Sequence, residues 1–161
     1  MPNDLERTAI ADQDVDFHVI DRVAAEVLET MFFTEAVANG CDHAWFGSAI
    51  TARIQFEGSH VGQFLLGVSL DAARSIAAGF LGLAEDEMTE KDCRQVILEL
   101  SNILCGSVLS NRWPDSRLSL APPELAGCNC CKEHAVHRCF ALTEGALSVT
   151  ICCADAPEPR V

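Results

Sequence analysis

Arg22-Val-Ala-Ala-Glu-Val-Leu-Glu-Thr-Met31 and Gln95-Val-Ile-Leu-Glu-Leu-Ser-Asn-Ile-Leu104 can be laid over one another, with valine and glutamate at matching positions in an apolar helical pattern. Each stretch is followed by two apolar runs joined by a turn that contains Glu-Gly. The first turn holds Glu57-Gly58 and the second Glu144-Gly145. A helix followed by a hairpin, occurring twice, implies two similar halves. Two such halves can pair their hairpins into one antiparallel sheet with two long helices packed against it, an α+β fold.

The remaining elements extend outward from this repeat. Asp14 or Asp16 can cap the first helix, which is expected to reach Asn39-Gly40 and to bury Phe17, Ile20, Ala24, Val27 and Met31. Strands are expected from Ala44 to Phe56 and from Val61 to Val68, on either side of Glu57-Gly58-Ser59-His60. Ser69 caps a short helix from Asp71 to about Leu81, which Gly82 and the acidic run Glu85-Asp86-Glu87 end. Thr89 and Asp92 form a capping box that opens a third helix, running to about Asn111 with Pro114 just beyond. A strand from Arg117 to Ala121 stops at Pro122-Pro123. A last hairpin joins Val136–Leu142 to Leu147–Cys153 around Thr143-Glu144-Gly145. This gives one domain over residues 14–155, with a loose lead at 1–13 and a loose tail at 156–161.

Composition narrows the function classes. The chain has 161 residues, of which 49% are hydrophobic, enough for one domain with a core. Its net charge of −13 repels phosphate backbones and anionic membranes, so neither nucleic acid nor membrane is an expected partner. No apolar run reaches the roughly 18 residues of a membrane span. The stretch Met1 to Asp16 lacks the basic start and apolar core of a signal peptide, so the expected location is the cytoplasm.

Nine cysteines make an odd count, which argues against a secreted disulfide framework. Cys41, Cys93, Cys105, Cys152 and Cys153 stand among apolar residues and read as small core residues. Cys128, Cys130, Cys131, His134, His137 and Cys139 cluster within twelve positions. They lack paired Cys-x-x-Cys knuckles and read first as a loop with incidental thiols, so no metal is assigned. His18, His43 and His60 read as surface or packing residues, and Trp45 and Trp113 as packing anchors. Ser107 and Ser110 sit in no nucleophile elbow, and no glycine-rich phosphate loop is present.

On a helical wheel, Val96, Leu100, Ile103, Leu104 and Ser107 share the expected buried side of the third helix, and Gln95, Glu99, Asn102 and Gly106 form a stripe opposite. Glu99 and Asn102, three apart, emerge as neighbours. Asparagine and glycine are poor helix formers, glycine by about 1 kcal/mol against alanine. Their presence mid-helix suits a face that another backbone approaches closely.

Glu99-Leu-Ser-Asn102, with Ile103 and Gly106 after it, resembles the Glu-x-x-Asn signature of the CheC/CheX/FliY phosphatases of bacterial chemotaxis. Glu26-Val-Leu-Glu-Thr-Met-Phe-Phe33 resembles the first helix of CheX-like members. The resemblance covers residues 15–154. It implies a CheC-like fold and hydrolysis of the phospho-aspartate of a CheY-like response regulator. Asn102 would orient the attacking water and Glu99 would pair with the regulator's lysine; Gln95 and Gly106, on the same stripe, are expected to contact the regulator, although Gln95 departs from the family, several members of which carry Asp or Ser there. Magnesium would sit on the regulator, leaving this chain no cofactor of its own. CheX-like relatives can dimerise through their sheets, so a homodimer is compatible with the resemblance. In the first half Glu29 stands where the asparagine belongs and Phe33 where Gly106 belongs, so only the second half is expected to work. The alternative reading is a docking module that binds a receiver domain, or a chemotaxis or motility protein, without hydrolysis.

Overall fold

The hydroxyl of Ser69 is the joint between the first hairpin and the helix after it. Its Oγ accepts the Ala72 amide at 3.4 Å and caps a helix over Leu70–Leu81. Gly82, at φ 67, closes that helix in the left-handed conformation, its N–H on the Ala78 carbonyl. Both ends are where the sequence places them. The computed structural model of the chain describes residues 4–38, 49–126 and 135–153, with side chains from residue 15 onward. In chain order the elements are α1 (Asp4–Met31), β1 (Ala36–Ala38), β2 (Ala49–Gly58), β3 (Gly62–Ser69), α2 (Leu70–Leu81), a 3-10 turn (Glu85–Glu87), α3 (Glu90–Arg112), β4 (Leu118–Leu120), β5 (Glu124–Leu125), β6 (Ala135–Leu142) and β7 (Gly145–Cys153).

The strands form one antiparallel sheet in the order β1-β6-β7-β3-β2-β4, with β5 also on β2. The order is symmetric about the β3–β7 pair. Exchanging β1, β2 and β3 with β4, β6 and β7 reproduces it in reverse, and the same exchange carries α1 onto α3. The two-half sheet expected from the repeat is therefore the fold observed. Each half also lends its short strand to the other, since β1 pairs with β6 and β4 with β2.

The helices cover one face of the sheet. Ile54 and Phe56 of β2, Phe64, Leu66 and Val68 of β3, and Leu147, Val149 and Ile151 of β7 alternate inward. They meet Ile20 and Leu28 of α1, Ile76 of α2, and Leu100 and Leu104 of α3 in one core.

Several boundaries depart from expectation. Helix α1 begins at Asp4 rather than Asp14 and stops at Met31, short of Asn39. It stops because the Thr34 N–H turns back to the Leu28 carbonyl at 2.9 Å across Phe33, which stands at φ 55. Ala36–Ala38 then pair with β6, so strand pairing overrides the helical pattern. The buried face of α1 is Val19, Ile20, Val23, Ala24, Val27, Leu28 and Phe32. Met31, expected inside, is 44% exposed, and Phe17 is half-buried beneath the Arg138 guanidinium at 4.7 Å. Strand β2 begins at Ala49 and runs on to Gly58, so the turn is Ser59-His60-Val61; residues 44–48 lie outside the described residues. The short strand β5 after Pro122-Pro123 was not foreseen. It places Glu124 opposite Arg53, whose guanidinium meets its carboxylate at 2.5 Å.

Phe33 offers a direct test of the backbone. An aromatic residue in the left-handed region costs about 1–2 kcal/mol, and 78% exposure gives it little packing to set against that. Phe33→Gly is expected to raise the denaturant midpoint by up to about 1 kcal/mol equivalent, with the slope m unchanged. A lower midpoint would mean that Phe33 packs more than its exposure indicates.

Candidate functional site

Helix α3 carries the residues singled out by sequence. It opens on the expected capping box: Thr89 Oγ1 accepts the Asp92 amide, and Asp92 Oδ2 accepts the Thr89 amide, both at 3.1 Å. These bonds, led by the one from the Thr89 backbone, hold the Asp92 carboxyl below its ordinary pKa. Cys93, Val96, Ile97, Leu100, Ser101, Leu104, Cys105, Val108 and Leu109 face the core. Ile103 and Ser107, expected among them, are only half-buried. The true seam is turned toward Ile97, Ser101 and Cys105 because α3 lies against both α1 and α2. Ser101 is fully buried but satisfied, donating to the Leu98 carbonyl at 2.8 Å.

Gln95, Glu99 and Asn102 are exposed, as expected. None of the three makes a side-chain hydrogen bond or an ion pair with the described residues. Gly106 follows on the same face, and a Cβ built there meets nothing within 4 Å. The glycine is therefore not required by packing against the described residues. It leaves open space next to an exposed amide and carboxylate. Ser110 extends the stripe one turn further and is also exposed. Its place in line follows from the helical wheel, three residues past Ser107 and four past Gly106.

The helix is fixed at its far end. Arg22 donates to Asn111 Oδ1 at 3.0 Å, Asn111 Nδ2 donates to the Ser107 carbonyl at 2.7 Å, and Arg112 pairs with Asp16. Nearby, Arg138 of β6 grips Asp21 of α1 through two hydrogen bonds of 2.8 and 2.5 Å. A face held by a capping box at one end and by α1 at the other presents its side chains from a rigid rod.

The matching stripe of α1 is also outward. Arg22, Glu26, Glu29 and Phe33 are all exposed. It offers two carboxylates and an aromatic ring where α3 offers a carboxylate, an amide and open space.

Other candidates read differently. Cys93, Cys105 and Cys152 are buried, Cys153 is half-buried, and Cys41 lies outside the described residues. Burial pushes the Cys105 thiol up to about 12 and raises the Cys93 and Cys153 thiols, so all three favour the unreactive thiol form. Of the cysteine–histidine cluster, only His137 and Cys139 are described; Cys128, Cys130, Cys131 and His134 fall outside the described residues. His137 Nδ1 lies 2.8 Å from Thr150 Oγ1, and its Nε2 lies 3.3 Å from Cys139 Sγ. Among the described residues no group of three metal-ligating side chains converges. His60 stacks on Trp113 at 3.9 Å, and Trp113 lies 6.3 Å from Phe56, so both are packing residues; His18 is exposed, and His43 and Trp45 lie outside the described residues. Among the described residues no helix is long and apolar enough to cross a membrane.

Residues 50–128 match the family model described as "Chemotaxis phosphatase CheX", a span that contains Glu99 and Asn102. No curated protein matches the sequence. Among solved structures, the chemotaxis protein CheX from Vibrio vulnificus matches with a TM-score of 0.70 at 17% identity, over 86% of this chain and 96% of that one. A chemotaxis protein CheX from Desulfovibrio desulfuricans gives 0.69 at 14% identity, over 86% and 99%. The CheX of a CheX–CheY–BeF3–Mg complex from Borrelia burgdorferi gives 0.66 at 16%, over 86% and 97%. The α+β fold is thus the fold of CheX- and CheC-like proteins.

Proposed function

We propose, from the premise that this chain is CheX-like in its family-model match and its fold, that it hydrolyses the phospho-aspartate of a CheY-like receiver domain. One observation carries the proposal. Glu99 and Asn102 stand side by side on one helix, exposed and without a side-chain hydrogen bond to the described residues, with the open space at Gly106 on the same face. The solved CheX–CheY complex of Borrelia burgdorferi, whose CheX shares this fold, supports a CheY-like receiver domain as the partner.

The chemistry suits these residues. Hydrolysis of an acyl phosphate needs a water held in line with the departing carboxylate. A carboxamide accepts a hydrogen bond at its oxygen and donates from its nitrogen, so Asn102 can hold a water without acting as a base. Glu99 opposite a lysine of the receiver sets register and specificity. Gln95 lies one turn before Glu99 and contributes at the edge of the contact. Magnesium belongs to the receiver, and this chain supplies position and hydrogen bonds. In the first half, Glu29 would set a second negative charge against the phosphoryl group, so α1 takes no part in hydrolysis.

The test is the decay of a phosphorylated receiver domain with and without this protein. Acceleration by the wild-type chain is expected. Receivers that bind without faster decay would favour the docking reading; no binding and no acceleration across the organism's receivers would end both.

Gly106→Ala separates docking from stability. The new Cβ meets nothing within 4 Å among the described residues, and alanine is the better helix former by about 1 kcal/mol. Thermal melting should rise by roughly 3 °C, while acceleration of receiver dephosphorylation should fall roughly tenfold as the receiver backbone is pushed back. Unchanged activity in a stabilised variant would remove Gly106 from the contact.

A further inference from the structure

The first turns of α2 and α3 meet at one pocket. Matching positions of the two helices line it: Leu70, Ala73 and Arg74 of α2, and Glu90, Cys93 and Arg94 of α3. Spacings of three and four put each trio on one helical face, so the pocket forms where the two faces converge. Ile50 of β2 and Leu125 of β5 also line it, and its volume is about 300 Å³. That is enough for a small ligand.

The charge here runs against that of the chain. The molecule carries a net charge of −13, yet two guanidinium groups and one carboxylate line this pocket. Arg53, Arg112 and Arg138 are each held by a carboxylate elsewhere. Arg74 makes no hydrogen bond or ion pair with the described residues. Arg94 reaches only Glu90, at 3.6 Å, between side chains 53% and 84% exposed. A pair so long and so well hydrated contributes little and leaves the guanidinium available. The apolar side is equally accessible, for Leu70 and Leu125 are 53% and 45% exposed. Ala73 and Cys93 are buried and only bound the floor.

Two planar cationic forks beside exposed leucines call for an acid group carried on an apolar body. A bare inorganic anion would leave the leucines uncovered, and a neutral apolar molecule would leave the forks unpaired. We propose that this pocket binds a small organic anion, a carboxylate or a phosphate monoester on a short aliphatic body. Arg74 and Arg94 hold the acid group, and Leu70 and Leu125 cover the body. Glu90 opposes the anion and restrains Arg94. None of the lining residues belongs to the Glu99–Asn102 stripe, so the proposal stands whether or not the chain hydrolyses acyl phosphates.

The test is an NMR titration of the full-length, isotope-labelled chain with hexanoate and with butyl phosphate, the better binder naming the acid group. Hexanamide and inorganic phosphate are the controls. Saturable shifts centred on Ile50, Leu70, Arg74, Arg94 and Leu125 are expected, with both controls at least roughly tenfold weaker. Arg74→Gln and Arg94→Gln should each weaken binding roughly tenfold, and Arg74→Lys less, because it keeps the charge and loses the fork. Both arginines are exposed, so melting should be unchanged. Glu90→Gln should tighten binding roughly threefold, a gain that a loosened fold would not produce. Shifts with neither anion, shifts scattered over the surface, or unchanged affinity in the glutamine variants would overturn the proposal. So would hexanamide binding as well as hexanoate, or inorganic phosphate binding as well as its ester, which would leave an adventitious ion only.

Discussion

Asn102→Ala should cut the acceleration of receiver-domain dephosphorylation on the order of 100-fold, with receiver binding and the fold retained. The magnitude follows from the role. An amide that positions a water provides orientation, and its loss leaves the water to find the line of attack by chance. The fold should survive because Asn102 is exposed, makes no side-chain hydrogen bond with the described residues, and gives way to a better helix former. The measurement is the decay of phosphorylated receiver at matched protein concentrations, with circular dichroism as the control for folding. Glu99→Ala is the informative companion. If Glu99 sets register against a lysine, its loss should weaken receiver binding and make what remains less sensitive to salt. Full activity in Asn102→Ala would remove the proposed chemistry from α3 altogether.

Gly145→Ala should damage the fold severely, costing on the order of 3 kcal/mol. Gly145 stands at φ 100, where an L side chain is strained, and a Cβ there would come 2.2 Å from Ser69 Oγ and 3.1 Å from both the Cβ and the amide of Ala72. Ser69 cannot simply move aside. Its Oγ caps α2 and also accepts the Ala146 amide at 3.1 Å, so one hydroxyl binds the second hairpin to the first helix after the sheet. The variant should melt roughly 10 °C lower. A loss confined to a few tenths of a kcal/mol would show that the turn relaxes without disturbing Ser69.

Much of this arrangement is legible in the residues. Ser69, Gly82, Thr89 and Asp92 announce helix ends because capping is local chemistry, settled within four residues of chain. The repeat announces the sheet because two similar halves have few ways to pair. The stripe Gln95, Glu99, Asn102, Gly106 is legible because a helix maps spacing directly onto a face. What is missed depends on contacts distant in sequence. Helix α1 gives way to β1 because Ala36–Ala38 find β6 more than a hundred residues later, which no periodicity records. Ile103 and Ser107 move partly outward because α3 must satisfy two helical neighbours, whereas the wheel assumes one. Phe33 at a left-handed position is the least legible of all. The sequence offers glycine nowhere near the end of α1 and so extends the helix to Gly40.

The crossed pairing of β1 with β6 and β4 with β2 carries a consequence for how the chain reaches this state. Neither half can finish its own sheet, and the central β3–β7 ladder joins strands some eighty residues apart, as in Val68 against Leu147. Local hairpins can form early, but the entropy of closing such long loops must be met before the halves reward each other. Folding is then slow for a chain of this size and single-step at its end, with no half persisting alone. The two similar halves therefore form one cooperative unit, and damage to either is felt as loss of both.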